Sequence, residues 1–131
     1  MPYGFDDEQW DDMFTAGLAY LERLARDQGD CDYTNFCREV RAATGHEIDP
    51  HGQACSHLLE RIGEETFRTH GVVVTALAHY MGEGIEPGPG FFTLCHNLGI
   101  IEEIPANEEQ RLQIVSDQVR EVLAAYDRRQ P

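Results

Sequence analysis

Apolar positions recur along most of this chain at the three-to-four-residue step of one helical face. Trp10, Phe14, Leu18, Leu21, Leu24 and Ala25 follow that step, and Asp6 with Gln9 three positions on forms a capping-box pattern. The spacing predicts a helix over about 7 to 28, stopped by Gly29. The stretch "DYTNFCREVRAATG" supplies Asp32 or Thr34 as cap, a stripe of Phe36, Val40 and Ala43, and Gly45 as terminator, which predicts a second, shorter helix. A third is expected from "DPHGQACSHLLERIGEETFRTHG", with Asp49 at the N-cap and Pro50 at the first helical position, where a missing N–H costs nothing. Cys55, Leu58, Leu59 and Ile62 give it a buried side and Gly71 ends it.

The pattern then changes. "VVVTALAHYM" opens with three valines and is apolar on both faces, as a buried strand over 72 to 80 would be, with a helix as the alternative. "GEGIEPGPG", with four glycines and two prolines, predicts a turn or exposed loop. "FFTLCHNLG" reads as a short helix ended by Gly99, and "IIEEIP" as a short strand able to pair with the valine run. Asn107, with Gln110 three residues on, caps a last helix whose stripe is Leu112, Val115, Val119, Val122, Leu123 and Tyr126, with Arg128 and Arg129 complementing its C-terminal dipole. The expected fold is α+β, mainly α: about five helices with one or two short strands, in a single acidic domain over 1–131.

Composition narrows the partners. The 24 acidic residues against 10 basic ones give a formal charge of -14, which makes direct nucleic-acid binding a poor expectation, because that affinity comes from neutralising phosphates. A basic protein surface or a cation suits it better. Every basic residue is Arg, so lysine chemistry such as a Schiff base or a P-loop is excluded. The N-terminal "MPYGFDDEQW" has neither a basic region nor an apolar core of a signal peptide, and no apolar run approaches the roughly 18 residues of a membrane span. The expectation is a cytoplasmic chain away from membranes, whose four cysteines are reduced thiols without any CxxC pair.

The densest candidate chemistry is "GHEIDPHGQACSH", residues 45 to 57. Its "HEIDPH" differs from the zinc motif HExxH: the histidines are five apart with Pro50 between them, so they cannot share a helical face. From a helix starting at Asp49, His51 and Cys55 would point the same way and offer two metal ligands, with Cys95 and His96 as the distant pair that could complete a zinc site. No cofactor is otherwise called for. "RAATGH", Arg41 to His46, has the R-x4-H spacing of some small helical ribonucleases, a spacing that ten Arg and six His produce readily by chance. Ser56 and His57 are neighbours, but successive helical side chains point about 100° apart and cannot pair as nucleophile and base. Carboxylate pairs such as Glu64 with Glu65, Glu83 with Glu86 and Glu102 with Glu103 read as solvated faces. Asp6, Asp7, Glu8, Asp11 and Asp12 read as dipole-favourable acids at a helix start, or as a docking site for a basic partner.

The run from Leu58 to Gly99, "LLERIGEETFRTHGVVVTALAHYMGEGIEPGPGFFTLCHNLG", resembles a pattern of small bacterial proteins: a helix, a Val-rich strand, a PGxGFF turn and another helix. It covers about a third of the chain, "PGPGFF" is its most specific element, and "GEGIE" is an insertion-like departure. The resemblance implies a strand at 72 to 80 and no activity. Physically, Pro89 can start a helix, the glycines permit a tight turn and Phe91 and Phe92 can anchor it, while exposed N–H groups around Pro87, Gly88, Pro89 and Gly90 could receive a partner's anionic group.

The function expected from these features is a non-enzymatic interaction module that binds a protein partner or itself. The alternatives are a small metal-dependent hydrolase or nuclease built on the His and Cys ligands, and an acidic nucleic-acid mimic.

Overall fold

A computed structural model describes residues 2–80 and 87–127 of the 131-residue chain. The expected Gly/Pro turn falls partly on 81–86, and Glu83, Glu86, Arg128 and Arg129 all lie outside the described residues. The fold is α+β, mainly α. In chain order it comprises α1 (Asp7–Arg26), β1 (Cys31–Asp32), α2 (Tyr33–Thr44), α3 (Gln53–His70), a 3-10 turn (Val74–Leu77), β2 (Ala78–His79), α4 (Pro89–Asn97) and α5 (Glu108–Ala125). No helix among the described residues is long and apolar enough to cross a membrane.

Most helix starts follow from their caps. The Asp6 carboxylate accepts the Gln9 N–H at 2.8 Å while the Gln9 side chain accepts the Asp6 N–H at 2.9 Å, so two orphan donors of α1 are satisfied reciprocally. The Asp32 carboxylate accepts the Asn35 N–H at 2.7 Å in α2, and the Asn107 side-chain oxygen accepts the Gln110 N–H at 2.9 Å in α5. At the other end, α1 turns at Gln28 rather than at Gly29. Gln28 takes φ 60, and its amide donates to the carbonyls of Ala25 and Leu123, tying the end of α1 to α5.

α3 starts later than its sequence suggests. Asp49 is not its cap: the carboxylate accepts the His51 N–H at 2.9 Å, and the Asp49 carbonyl accepts the Gly52 N–H at 3.0 Å. Asp49 and Pro50 thus occupy the first two positions of a turn, the other setting in which Pro's fixed φ and Asp's side-chain acceptor are favoured. Gly52 becomes the N-cap, and His51 stands outside the helix.

The largest correction concerns the valine run. Residues 72 to 80 do not form one strand: only Ala78–His79 is paired as a strand, in parallel with Cys31–Asp32 and not with "IIEEIP", which is irregular. The run is buried throughout from Val72 to Ala78 and separates two core regions, with Val72, Val74, Leu77 and Ala78 facing α1, α2 and α3, and Val73 and Ala76 facing α4 and α5. Up to Leu77 the segment has no neighbouring strand among the described residues, so its N–H groups need other acceptors. Val73 N–H donates to Gln118 Oε1 at 2.7 Å, Val74 N–H to Thr66 Oγ1 at 3.1 Å, and Ala76 N–H back to the Val73 carbonyl at 3.1 Å. Gln118 and Thr66 are buried polar residues on helices α5 and α3, held there by this role.

Glycines let the helices close on this segment. A Cβ at Gly63 would lie 2.5 Å from Leu94 Cδ2 and 3.1 Å from Val73 Cγ1, and one at Gly17 would lie 2.9 Å from Ile62 Cδ1.

Removing either side-chain acceptor leaves a buried N–H unpaired. Gln118→Leu and Thr66→Val are each expected to lower the unfolding free energy by about 1–3 kcal/mol. Urea titration checks this as a shifted midpoint at constant slope, with Gln113→Leu on the exposed side of α5 expected to change stability by less than about 0.5 kcal/mol.

Candidate functional site

Two stretches singled out separately by sequence meet in space. The start of α3, with the turn before it, and the start of α4 face each other across a cleft of about 180 Å³, lined by His51, Cys55, Gly88, Pro89 and Gly90 among others. Pro87 is buried beside Gly88. The space is large enough for several water molecules or one side chain.

Aromatic rings form its walls. The Tyr33 phenol, at the first position of α2, accepts the Gly88 N–H at 2.7 Å and so fixes the entry to α4 from a residue 55 positions away. The Tyr80 ring meets Tyr33 edge-on at 5.0 Å between centroids, and the His51 ring lies nearly parallel to Tyr80 at 5.9 Å. Gly88 lies close against this wall: a Cβ there would stand 2.9 Å from the Tyr80 hydroxyl, so a larger residue would displace the end of the Tyr80 side chain. Phe91 and Leu94 close the apolar side.

Polar groups are few. Glu60 is an exposed carboxylate on the cleft, with no ion-pair partner among the described residues. Thr75, from the 3-10 turn, lines the cleft at 5% exposure, and its hydroxyl has no hydrogen-bond partner among the described residues. Among the described residues no side-chain nitrogen or oxygen sealed from solvent lacks a partner, so the Thr75 hydroxyl is not sealed from solvent. No arginine among the described residues lines the cleft.

The zinc ligands named from the sequence do not assemble. Among the described residues no three His, Cys, Asp or Glu side chains are grouped so as to hold a metal ion. His51 precedes α3 and its ring lies on Tyr80, so the helical step that would align it with Cys55 is lost. The Cys55 sulfur is 3.7 Å from that of Cys37, within S–H···S reach. Cys95 is fully buried in the α4–α5 core, and His96 is exposed on the next position of α4.

Other candidate pairs also part company. Arg41 lies 3.7 Å from Glu47 while His46 leans toward Asp12 at 3.9 Å, so the R-x4-H pair does not converge. Ser56 lines the cleft whereas His57 packs against Trp10, 4.9 Å between ring centroids. In the N-terminal acid cluster, Asp6 caps α1, Asp11 pairs with Arg61 at 2.9 Å and Asp12 faces His46. Asp7 and Glu8 sit exposed in the first turn.

The residues that sequence reasoning missed are Tyr33, Glu60, Thr75 and Tyr80. Tyr33 and Thr75 look like core positions in the linear pattern, and only the crossing of α2, α3 and α4 shows that their hydroxyls share one cleft.

All four thiols are buried, and three of them, Cys31, Cys55 and Cys95, are hard to ionise. Burial pushes Cys31 and Cys95 up to about 12, and contact with Cys37 together with burial pushes Cys55 up as well. Because the thiolate is the nucleophile, these three cysteines are expected to resist iodoacetamide at pH 7.5 in the native chain and to react once urea unfolds it, with mass spectrometry counting the adducts. Compared with known protein families, with curated proteins and with solved structures, the chain matches none.

Proposed function

We propose that this chain is a non-enzymatic interaction module that binds a basic segment of a partner protein, with the cleft between α3 and α4 as the docking point. The observation that carries this reading is the cleft's charge. Among the described residues it has one carboxylate, without a counter-ion, aromatic walls and no arginine, on a chain of net charge -14. An opposite charge is drawn to such a surface at long range, and a cation seated over a tyrosine face gains further where water is displaced.

The two alternatives have less support. Donors for a metal-dependent hydrolase or nuclease stay apart among the described residues. The acids that would imitate a phosphate backbone are partly engaged in a cap and in contacts with Arg61 and His46.

The test is an NMR titration of the isotope-labelled chain with a peptide of alternating glycine, arginine and lysine. The expected outcome is amide shifts clustered at Ser56, Glu60, Thr75 and Gly90, with affinity falling as salt rises from 25 to 300 mM, roughly a threefold shortening of the screening length. Glu60→Gln is expected to weaken binding without lowering the melting temperature. Shifts confined to Asp7 and Glu8, or absent altogether, would overturn the cleft as the docking point.

A further inference from the structure

Resting on that reading, we infer that the group the cleft receives is an arginine guanidinium, and that Thr75 is the residue that selects it over a lysine ammonium. Three observations converge. Thr75 lines the cleft with a hydroxyl on a nearly buried residue, without a partner among the described residues. Glu60 lines it with an exposed carboxylate. The same cleft is lined by the His51 and Tyr80 rings, whose planes lie 14° apart, and by the apolar Phe91 and Leu94.

A guanidinium matches this arrangement in a way an ammonium does not. Its five N–H donors spread outward in one plane, so one edge can donate to a hydroxyl while another donates to a carboxylate. It is weakly hydrated and stacks on aromatic faces. An ammonium is a compact, strongly hydrated charge. Carried into the cleft, it would exchange its strong hydration for a few hydroxyls set among aromatic and apolar walls, and desolvation of so compact a charge is unfavourable. Left outside, it would pair with Glu60 in solvent, an interaction worth little. The Thr75 hydroxyl therefore gains a partner only when the ligand is long, flat and rich in donors.

The test uses the full chain and two probes, acetyl-Ala-Arg-Ala-amide and acetyl-Ala-Lys-Ala-amide, titrated into isotope-labelled protein. The arginine probe is expected to bind at least about tenfold more tightly than the lysine probe, about 1.4 kcal/mol, with the Thr75 amide among the shifted resonances. Thr75→Val keeps the side chain's shape and removes its hydroxyl. It is expected to bring the arginine affinity down to that of the lysine probe while leaving the lysine affinity unchanged, and Thr75→Ser is expected to keep the preference. Equal affinities of the two probes for the unmodified chain, or a preference that survives in Thr75→Val, would overturn the selection while leaving the basic docking site standing. Absence of binding by either probe would overturn both. Should Thr75→Val fail to fold, Thr75→Ala is the hydroxyl-free variant, expected to lose the preference in the same way, and a preference that survives in it would overturn the selection.

Discussion

The rest of the structure depends on a single requirement: the buried backbone of Val72 to Leu77 must find hydrogen-bond acceptors where no strand lies beside it among the described residues. Sheets solve this by pairing and helices by their own ladder. Here the solution comes from two polar side chains, Gln118 on α5 and Thr66 on α3, which aim acceptors at successive N–H groups. The location of α5 follows from this. Its apolar stripe would pack against many surfaces, but the Gln118 amide must reach Val73, which sets both its position along the core and its rotation. The 3-10 turn has the same origin, since it lets Ala76 bond within the segment.

That arrangement also creates the cleft. A full strand over 72 to 80 would have sent alternate side chains to opposite faces of a sheet. Instead the chain turns at Val74–Leu77, which places the Thr75 side chain toward the gap between α3 and α4, and straightens for two residues against β1 before Tyr80. Tyr33 then closes the far side by holding Gly88. The cleft is the space left where a buried, irregular segment keeps two helix starts from packing directly on each other.

Much of the helical part was legible in the sequence because it is written locally. Asp6 with Gln9, Asn107 with Gln110, Gly45, Gly71 and Pro89 act within a few residues of themselves, and each acts as its pattern implies. Asp49 with Pro50 failed because the same pair serves a turn as well as a helix start, and only the backbone decides between them. The valine run failed for a different reason. Its composition reports burial correctly, but whether a buried run is extended depends on what lies beside it, and its neighbours are residues 66 and 118. The candidate site was legible in part: the 49–57 and 87–90 stretches were both marked, whereas their meeting, and the roles of Thr75 and Glu60, arise from helix crossings that no local pattern encodes.

The cleft draws its walls from residue 33, from 51 to 60, from 75 to 80 and from 88 to 94, so no portion of it exists before most of the chain has come together. Such a surface is a property of the folded state as a whole. An occupant therefore binds the native ensemble and not the unfolded one, and its free energy of binding is added to the cooperative stability of every element that contributes a wall. A ligand docked as proposed and the core would then be linked in both directions: whatever loosens the core around Val73 would weaken docking, and docking at Thr75 would slow the opening of the whole buried segment that carries it.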